Sequence, residues 1–183
     1  MWITAGKPVE NLFAMWKTYE VGGNPGMVVR DQKQALSVAV EMETRAIKTY
    51  ERALMLTRDD EVAAAIREML EDERRHLRRF TEMLGATCGV QAEDKAVTGA
   101  LAAEALFTGG VMEMHREHAL DTVRSVYEYA ADSEQNAVQT YLDFALKCED
   151  ASVKEAFCAI AQEEATHLAD LNEALAAMDS EGV

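Results

Sequence analysis

Apolar residues recur at intervals of three and four along much of the chain, a spacing that places them on one face of a helix. Both prolines lie in the first 30 residues, and glycine is absent from Met27 to Leu84 and from Val111 to Glu181. Long stretches without these helix breakers favour helix, and no alternating strand pattern competes with them. The pattern predicts an all-α protein with four long helices: Gln32–Thr57, Asp60–Leu84, Ala119–Lys147 and Ala151–Met178.

The connections between these helices differ in length. Arg58-Asp59 joins the first pair and Glu149-Asp150 joins the second, so each pair is predicted to form an antiparallel hairpin. The aspartate of each connection can cap the following helix by accepting hydrogen bonds from its free N–H groups. Residues 85–118 are long enough to cross the bundle, and residues 93–107 among them can hold a short helix.

The chain divides into two predicted parts. Residues 1–30 carry apolar side chains such as Leu12 and Trp16 before the helix-breaking sequence GGNPG. This extension is predicted to be a short helix that docks on the bundle or on a second subunit. Residues 31–179 are predicted to form the four-helix bundle as one domain.

The two hairpins are copies of each other. When the chain is shifted by about 91 residues, the hairpins align without a gap, as internal duplication predicts. Two such copies are expected to pack about a pseudo-twofold axis. Polar residues take part in the match, and they pair as follows: Glu43 with Glu134, Tyr50 with Tyr141, Glu73 with Glu164, and His76 with His167.

These matched polar residues lie on the apolar faces of the helices. In the second helix, Glu73 and His76 continue the spacing set by Ile66, Met69 and Phe80. The first and third helices also carry one inward glutamate each. The two glutamates of each hairpin lie about 15 residues from their connection, or about 22 Å along the helix. Four carboxylates and two imidazoles are therefore expected at one level of the core.

Such a cluster needs a source of positive charge. Four buried carboxylates without compensation would destabilise the fold or take up protons. Two divalent cations cancel four negative charges, and neutral histidines complete the coordination. The sequence therefore predicts a dinuclear metal site with six ligands: Glu43, Glu73, His76, Glu134, Glu164 and His167.

The overall charge narrows the possible partners. Lysine and arginine number 18 and aspartate and glutamate 33, which gives a formal net charge of −15. This surface repels nucleic acids and anionic membranes and attracts cations. Cys88, Cys148 and Cys158 form no CxxC pair, which argues against a thiolate metal site and a disulfide framework. No signal peptide or membrane span is evident, so a cytoplasmic location is predicted.

The ligand pattern resembles the rubrerythrin branch of the ferritin-like superfamily, over residues 32–178. The terminal ligand helices read ETRAIKTY and EQNAVQTY, and their partners read ERRH and EATH. One inward glutamate from each of two helices, with Glu-x-x-His from each of the other two, is the arrangement of di-iron and di-manganese carboxylate bundles. The resemblance implies a ferritin-like four-helix bundle with a long crossover. It also implies two iron ions per chain, with manganese as the other metal that suits the set.

The resemblance also implies roles for individual residues. Glu73 and Glu164 would bridge the two metals, while Glu43 and Glu134 would each bind one metal at its outer side. His76 and His167 would likewise bind one metal each. Two further candidates are the matched tyrosines Tyr50 and Tyr141. They could donate hydrogen bonds to the ligands and quench stray oxidising equivalents, or they could fill the core alone.

Two features depart from rubrerythrins. The chain has no rubredoxin-type pair of CxxC motifs, so its electron donor is expected to be external, either rubredoxin-like or another reductase. The extra glutamate that rubrerythrins carry one turn after the third-helix ligand is replaced by Ala137. The remaining six-residue set is closer to the bacterioferritin type.

Three functions remain open from the sequence. The first is a di-iron oxidoreductase that reacts with hydrogen peroxide or dioxygen, in a chain predicted to form a homodimer. The second is a ferroxidase that stores or sequesters iron, and the third is a metal-poor scaffold or interaction module. The remaining histidines, His115 and His118, have no counterpart in the repeat and are interpreted as solvated.

Overall fold

Four helices make up the protein in a computed structural model, which describes Val29, residues 31–87 and residues 122–181. They are α1 (Gln32–Leu56), α2 (Asp60–Thr87), α3 (Val123–Lys147) and α4 (Ala151–Glu181). No strand occurs in this part of the chain, so the predicted all-α class is confirmed. The predicted N-terminal helix and the short helix of residues 93–107 lie outside the described residues.

The predicted caps are present in both hairpin connections. Asp59 Oδ1 accepts hydrogen bonds from the backbone N–H groups of Glu61 and Val62, at 2.9 and 3.0 Å. Asp150 Oδ1 accepts equivalent bonds from the N–H groups of Ser152 and Val153, at 2.8 and 3.2 Å. Each aspartate therefore satisfies N–H groups that the first turn of a helix leaves free, and fixes where α2 and α4 begin.

Four helix ends differ from the prediction, and the smallest difference is that α1 ends at Leu56 rather than Thr57, whose backbone is extended. α3 begins at Val123 rather than Ala119, because Thr122 has an extended backbone and exchanges side-chain hydrogen bonds with Ser125 in a capping box. α2 continues through Gly85 to Thr87, since a glycine in a helix costs only about 1 kcal/mol and does not end it by itself. α4 likewise runs three residues beyond Met178, to Glu181.

The helices pack as two hairpins that meet mainly through α1 and α3. Their buried apolar residues form two clusters. The first cluster is aromatic, with the Phe157 ring 5.0 Å from Phe80 and 5.5 Å from Phe144 between centroids. The second is mostly aliphatic and contains residues such as Ile66 and Leu171. A layer of buried polar residues lies along the helices between the two clusters. Within the described residues, no helix has the length and apolar character of a membrane span.

Candidate metal centre

The six residues that the sequence predicts as metal ligands meet in this polar layer. Each helix contributes one glutamate, and α2 and α4 each add a histidine three residues further on. All six are buried, with relative exposures from 1% to 5%. The residues brought together are Glu43, Glu73, His76, Glu134, Glu164 and His167.

The ligand atoms form two overlapping groups. Glu73 and Glu164 belong to both groups. Within each group, one ligand atom from every residue lies within 4.8 Å of the others. The pairs that complete the groups are Glu43 with His76, and Glu134 with His167. The two shared glutamates therefore lie between two places that each offer three carboxylates and one imidazole to a cation.

Both histidines face the shared glutamates with their Nδ1 atoms. His76 Nδ1 lies 3.0 Å from Glu164 Oε1 and 3.8 Å from Glu73 Oε2. His167 Nδ1 lies 3.0 Å from Glu164 Oε2 and 3.2 Å from Glu73 Oε1. The two ring centroids are 6.2 Å apart. This spacing gives each place its own imidazole nitrogen.

Burial controls the charge of the outer glutamates when no metal is bound. It raises the pKa of Glu43 well above its usual value, and the negative charges of Glu73 and Glu164 raise it further. The pKa of Glu134 is raised by burial and by the same two charges. Both outer carboxyls therefore favour the protonated form, and a cation must displace their protons.

The shared glutamate Glu73 and the two histidines, in contrast, favour their charged forms. Burial acts to raise the pKa of Glu73, but interactions with His167 and His76 outweigh it and lower the pKa to about 2. Burial acts to lower the pKa of His76, but Glu164 and Glu73 raise it to about 10. The pKa of His167 is also raised, because Asp72, Glu164 and Glu73 outweigh burial. Protons on the imidazoles thus balance the ionised carboxylates until a cation replaces them.

Two buried atoms of the layer indicate that its residues fit a metal. Within the described residues, Glu73 Oε1 and His76 Nδ1 are buried and have no hydrogen-bond partner. Their close approaches, Glu73 to His167 and His76 to Glu164, do not have the direction of a hydrogen bond. An unsatisfied buried polar atom costs about 1–3 kcal/mol, a penalty that coordination removes. Carboxylate oxygens with imidazole nitrogens suit divalent iron and manganese.

The two tyrosines hydrogen-bond to the outer glutamates, each across to the opposite hairpin. The Tyr50 hydroxyl donates to Glu134 Oε1. The Tyr141 hydroxyl donates to Glu43 Oε1 at 2.5 Å. Burial and nearby carboxylates raise the pKa of both tyrosines, so each keeps the proton that it donates. A redox role for the tyrosines stays a prediction.

Sequence reasoning missed two acidic residues on the outer side of the histidines. His76 Nε2 lies 3.0 Å from Glu163 Oε2, and His167 Nε2 lies 3.3 Å from Asp72 Oδ2. An ionised carboxylate can only accept, so each Nε2 carries the donated proton and Nδ1 is left for the metal. The repeat contained a signal, because Asp72 and Glu163 are also 91 residues apart and each directly precedes a shared glutamate.

A pocket between α1 and α3 leads to the carboxylate side of the layer. Its enclosed space is about 20 Å³, which is room for about one water molecule. Half-buried residues of both helices, among them Arg45, Ala46 and Tyr129, line the pocket together with Ala137. All four glutamates of the layer also contribute to its wall. The pocket therefore gives a species of about the size of a water molecule a place beside the shared glutamates.

Other sequence candidates fall elsewhere. His115, His118 and Cys88 lie outside the described residues. Cys148 is buried at the end of α3 and Cys158 is half-buried in α4, and both are free thiols. Neither is part of the two metal-binding groups found among the described residues.

Comparison with known proteins agrees with the fold. The chain is 27% identical, over 132 residues, to the uncharacterized protein YhjR of Bacillus subtilis strain 168. That alignment covers 72% of this chain and 78% of YhjR. No solved structure was matched. The family model of the ferritin-like domain matches residues 30–177, which span the four helices almost completely. The chain therefore belongs to the ferritin-like domain family.

Proposed function

We propose that the protein is a rubrerythrin-like di-iron oxidoreductase that reduces hydrogen peroxide or dioxygen. The observation that carries this proposal is the pair of overlapping groups that share Glu73 and Glu164. The two groups would each hold one divalent cation, and the charge of four carboxylates would match that of the two cations. Membership of the ferritin-like domain family supports the same conclusion.

Two bound ferrous ions would supply two electrons, which convert one hydrogen peroxide and two protons into two water molecules. The chain's own residues prepare the site for this chemistry. Glu73 and Glu164 would each contact both cations, and the tyrosine hydroxyls donate hydrogen bonds that orient the outer carboxylates. Asp72 and Glu163 fix the orientation of the imidazoles. The pocket admits a small oxidant on the carboxylate side.

The partners belong to the same proposal. The sequence contains no CxxC pair, so the electrons are proposed to come from a separate donor, rubredoxin-like or another reductase. The homodimer, the cytoplasmic location and the use of iron rather than manganese stay predictions.

Rapid mixing tests the activity directly. The protein is loaded anaerobically with ferrous ion and mixed with hydrogen peroxide or with dioxygen, and iron oxidation is followed by absorbance. The proposal expects oxidation by one of these oxidants to be much faster than that of free ferrous ion, and repeated turnover when a reductant is added. If neither oxidant reacts faster with the loaded protein than with free ferrous ion, the oxidoreductase proposal is wrong.

A second candidate function, ferrous-ion oxidation for storage or sequestration, is favoured by one observation. Ala137 lines the pocket at the position where rubrerythrins carry an additional glutamate, which leaves the six-residue set. Storage requires a closed shell of many subunits. Light scattering distinguishes the two functions, because a dimer cannot enclose a mineral core whereas a shell of many chains can.

A further inference from the structure

One arginine connects the outer sides of both histidines. The Arg75 guanidinium donates from Nη1 to Asp72 and from Nη2 to Glu163. These are the same two carboxylates that accept from His167 and His76. A continuous chain of contacts therefore runs from one imidazole to the other through a single guanidinium group.

This arginine breaks the symmetry of the repeat. Its counterpart in the second hairpin, 91 residues later, is Thr166. The Thr166 hydroxyl donates to the backbone carbonyl oxygen of Gln162, within its own helix. Asp72 and Glu163, in contrast, are matched acidic residues. Two equivalent carboxylates are thus held by one arginine, which reaches from α2 to α4.

The contacts of Arg75 differ from those of an ordinary surface ion pair. A solvent-exposed pair contributes little because both side chains remain mobile. Here each carboxylate has a second partner, a histidine whose side chain is at most 7% exposed. The planar guanidinium holds two acceptors in a fixed geometry, whereas the three donors of an ammonium group rotate about a single bond. Restraining Asp72 and Glu163 therefore restrains the two imidazole rings behind them.

We infer that Arg75 is a positioning residue for the whole metal centre. By holding Asp72 and Glu163 together, it orients His76 and His167 at the same time, so that both metal positions depend on one side chain outside the ligand set. This inference rests on the metal centre of the proposed function. It adds that the two halves of the duplicated site are connected through Arg75.

The test is anaerobic Mn²⁺ binding, followed by the loss of the electron paramagnetic resonance signal of free Mn²⁺. In Arg75→Gln, we expect about two ions per chain still to bind, with affinity lowered by roughly tenfold or more at both positions. Arg75→Lys is expected to recover only part of the affinity, since lysine restores the positive charge without the planar pair of N–H donors. The absorption spectrum of bound Co²⁺ should also change in Arg75→Gln, because the coordination geometry is altered at both positions.

Arg74→Gln is the matched control. Arg74 is the neighbouring residue on α2 and loses the same charge, but its ion pairs are with Glu71 and Glu51 rather than with partners of the histidines. Its Mn²⁺ affinity is expected to equal that of the wild type. The inference is overturned if Arg75→Gln binds both ions as tightly as the wild type, weakens only one position, or behaves like Arg74→Gln. If the wild type itself binds no metal, the proposed function fails instead.

Discussion

The two sides of the metal centre are built from different chemistry. On the α1–α3 side, the outer glutamates accept hydrogen bonds from neutral tyrosine hydroxyls, and a pocket reaches the layer. On the α2–α4 side, the histidines meet a row of charged residues, Asp72, Arg75 and Glu163. The first side combines hydrogen-bonded carboxylates with a small pocket, whereas the charged residues of the second side contact the imidazoles. Under the proposed function, a small oxidant would approach from the carboxylate side while the ionic side maintains the geometry of the imidazoles.

The largest effect on metal binding is expected from removing a residue that belongs to both ligand groups. Glu73→Ala is expected to abolish binding of the metal pair, because Glu73 belongs to both ligand groups. Equilibrium dialysis with Mn²⁺ measures the loss, from about two ions per chain to fewer than one. Glu82→Ala, at an exposed position further along α2, is the control and should bind as the wild type does. Unchanged pair binding in Glu73→Ala would place the metals elsewhere.

A change of pH acts next most strongly, through the protons that metal must displace. The pKa of His76 lies at about 10 in the metal-free fold against an ordinary value of 6.5. The contribution of protonated His76 to the stability of the metal-free fold is therefore fully present below pH 6.5 and is lost as the pH rises towards 10. Mn²⁺ affinity is expected to change in the other direction, and to rise by about tenfold per pH unit for each displaced proton.

Unfolding by urea at several pH values checks both parts of this pH prediction. The free energy of unfolding of the metal-free protein should fall between pH 6.5 and 9, while that of the Mn²⁺-loaded protein should fall less. A metal-free protein that gains stability over this range would contradict the assigned proton on His76.

Filling the pocket tests the carboxylate side alone. Ala137→Leu adds volume to the pocket wall without touching the histidines, so metal stoichiometry should be retained while oxidation slows by about tenfold, equivalent to 1.4 kcal/mol in the barrier. The slowing should be greater for tert-butyl hydroperoxide than for hydrogen peroxide. Ala65→Leu, on the exposed surface of α2, controls for the substitution. Equal rates in both variants would show that the oxidant arrives by another route.

The tyrosine hydroxyls give the smallest expected effect. Tyr141→Phe preserves the packing against Phe80 and Phe157 and removes only the hydrogen bond to Glu43. That hydrogen bond lowers the pKa of Glu43, so its loss favours the protonated carboxyl and should weaken Mn²⁺ binding several-fold. The metal-free protein should lose about 1 kcal/mol in urea unfolding. Tyr50→Phe should act in the same way on Glu134, and a variant pair without any effect would reduce both tyrosines to core filling.

The sequence predicted those features that depend on spacing within one helix or on comparison of the two hairpins. The convergence of Glu43 and Glu73 follows from their equal distance to the connection. The caps at Asp59 and Asp150 follow from local hydrogen-bonding chemistry. Both kinds of feature require only the helical repeat and the duplication.

Features that depend on how the hairpins meet were not predictable in this way. The tyrosines bond across to the opposite hairpin because α1 and α3 run antiparallel, which spacing along one helix does not reveal. Arg75 has no counterpart in the repeat, so duplication gave no signal for it. The start of α3 was missed because the capping box of Thr122 has Ser125 at the position where the usual sequence signature has Glu or Gln.

Counting the metal ions tests the central claim most directly. The metal-free protein is titrated anaerobically with ferrous ion, and bound iron per chain is measured after separation from free iron. Saturation near two ions per chain is expected, since each of the two ligand groups that share Glu73 and Glu164 would accept one cation. Saturation near zero would contradict the account and would mean that the duplicated layer of glutamates and histidines serves the architecture of the bundle alone.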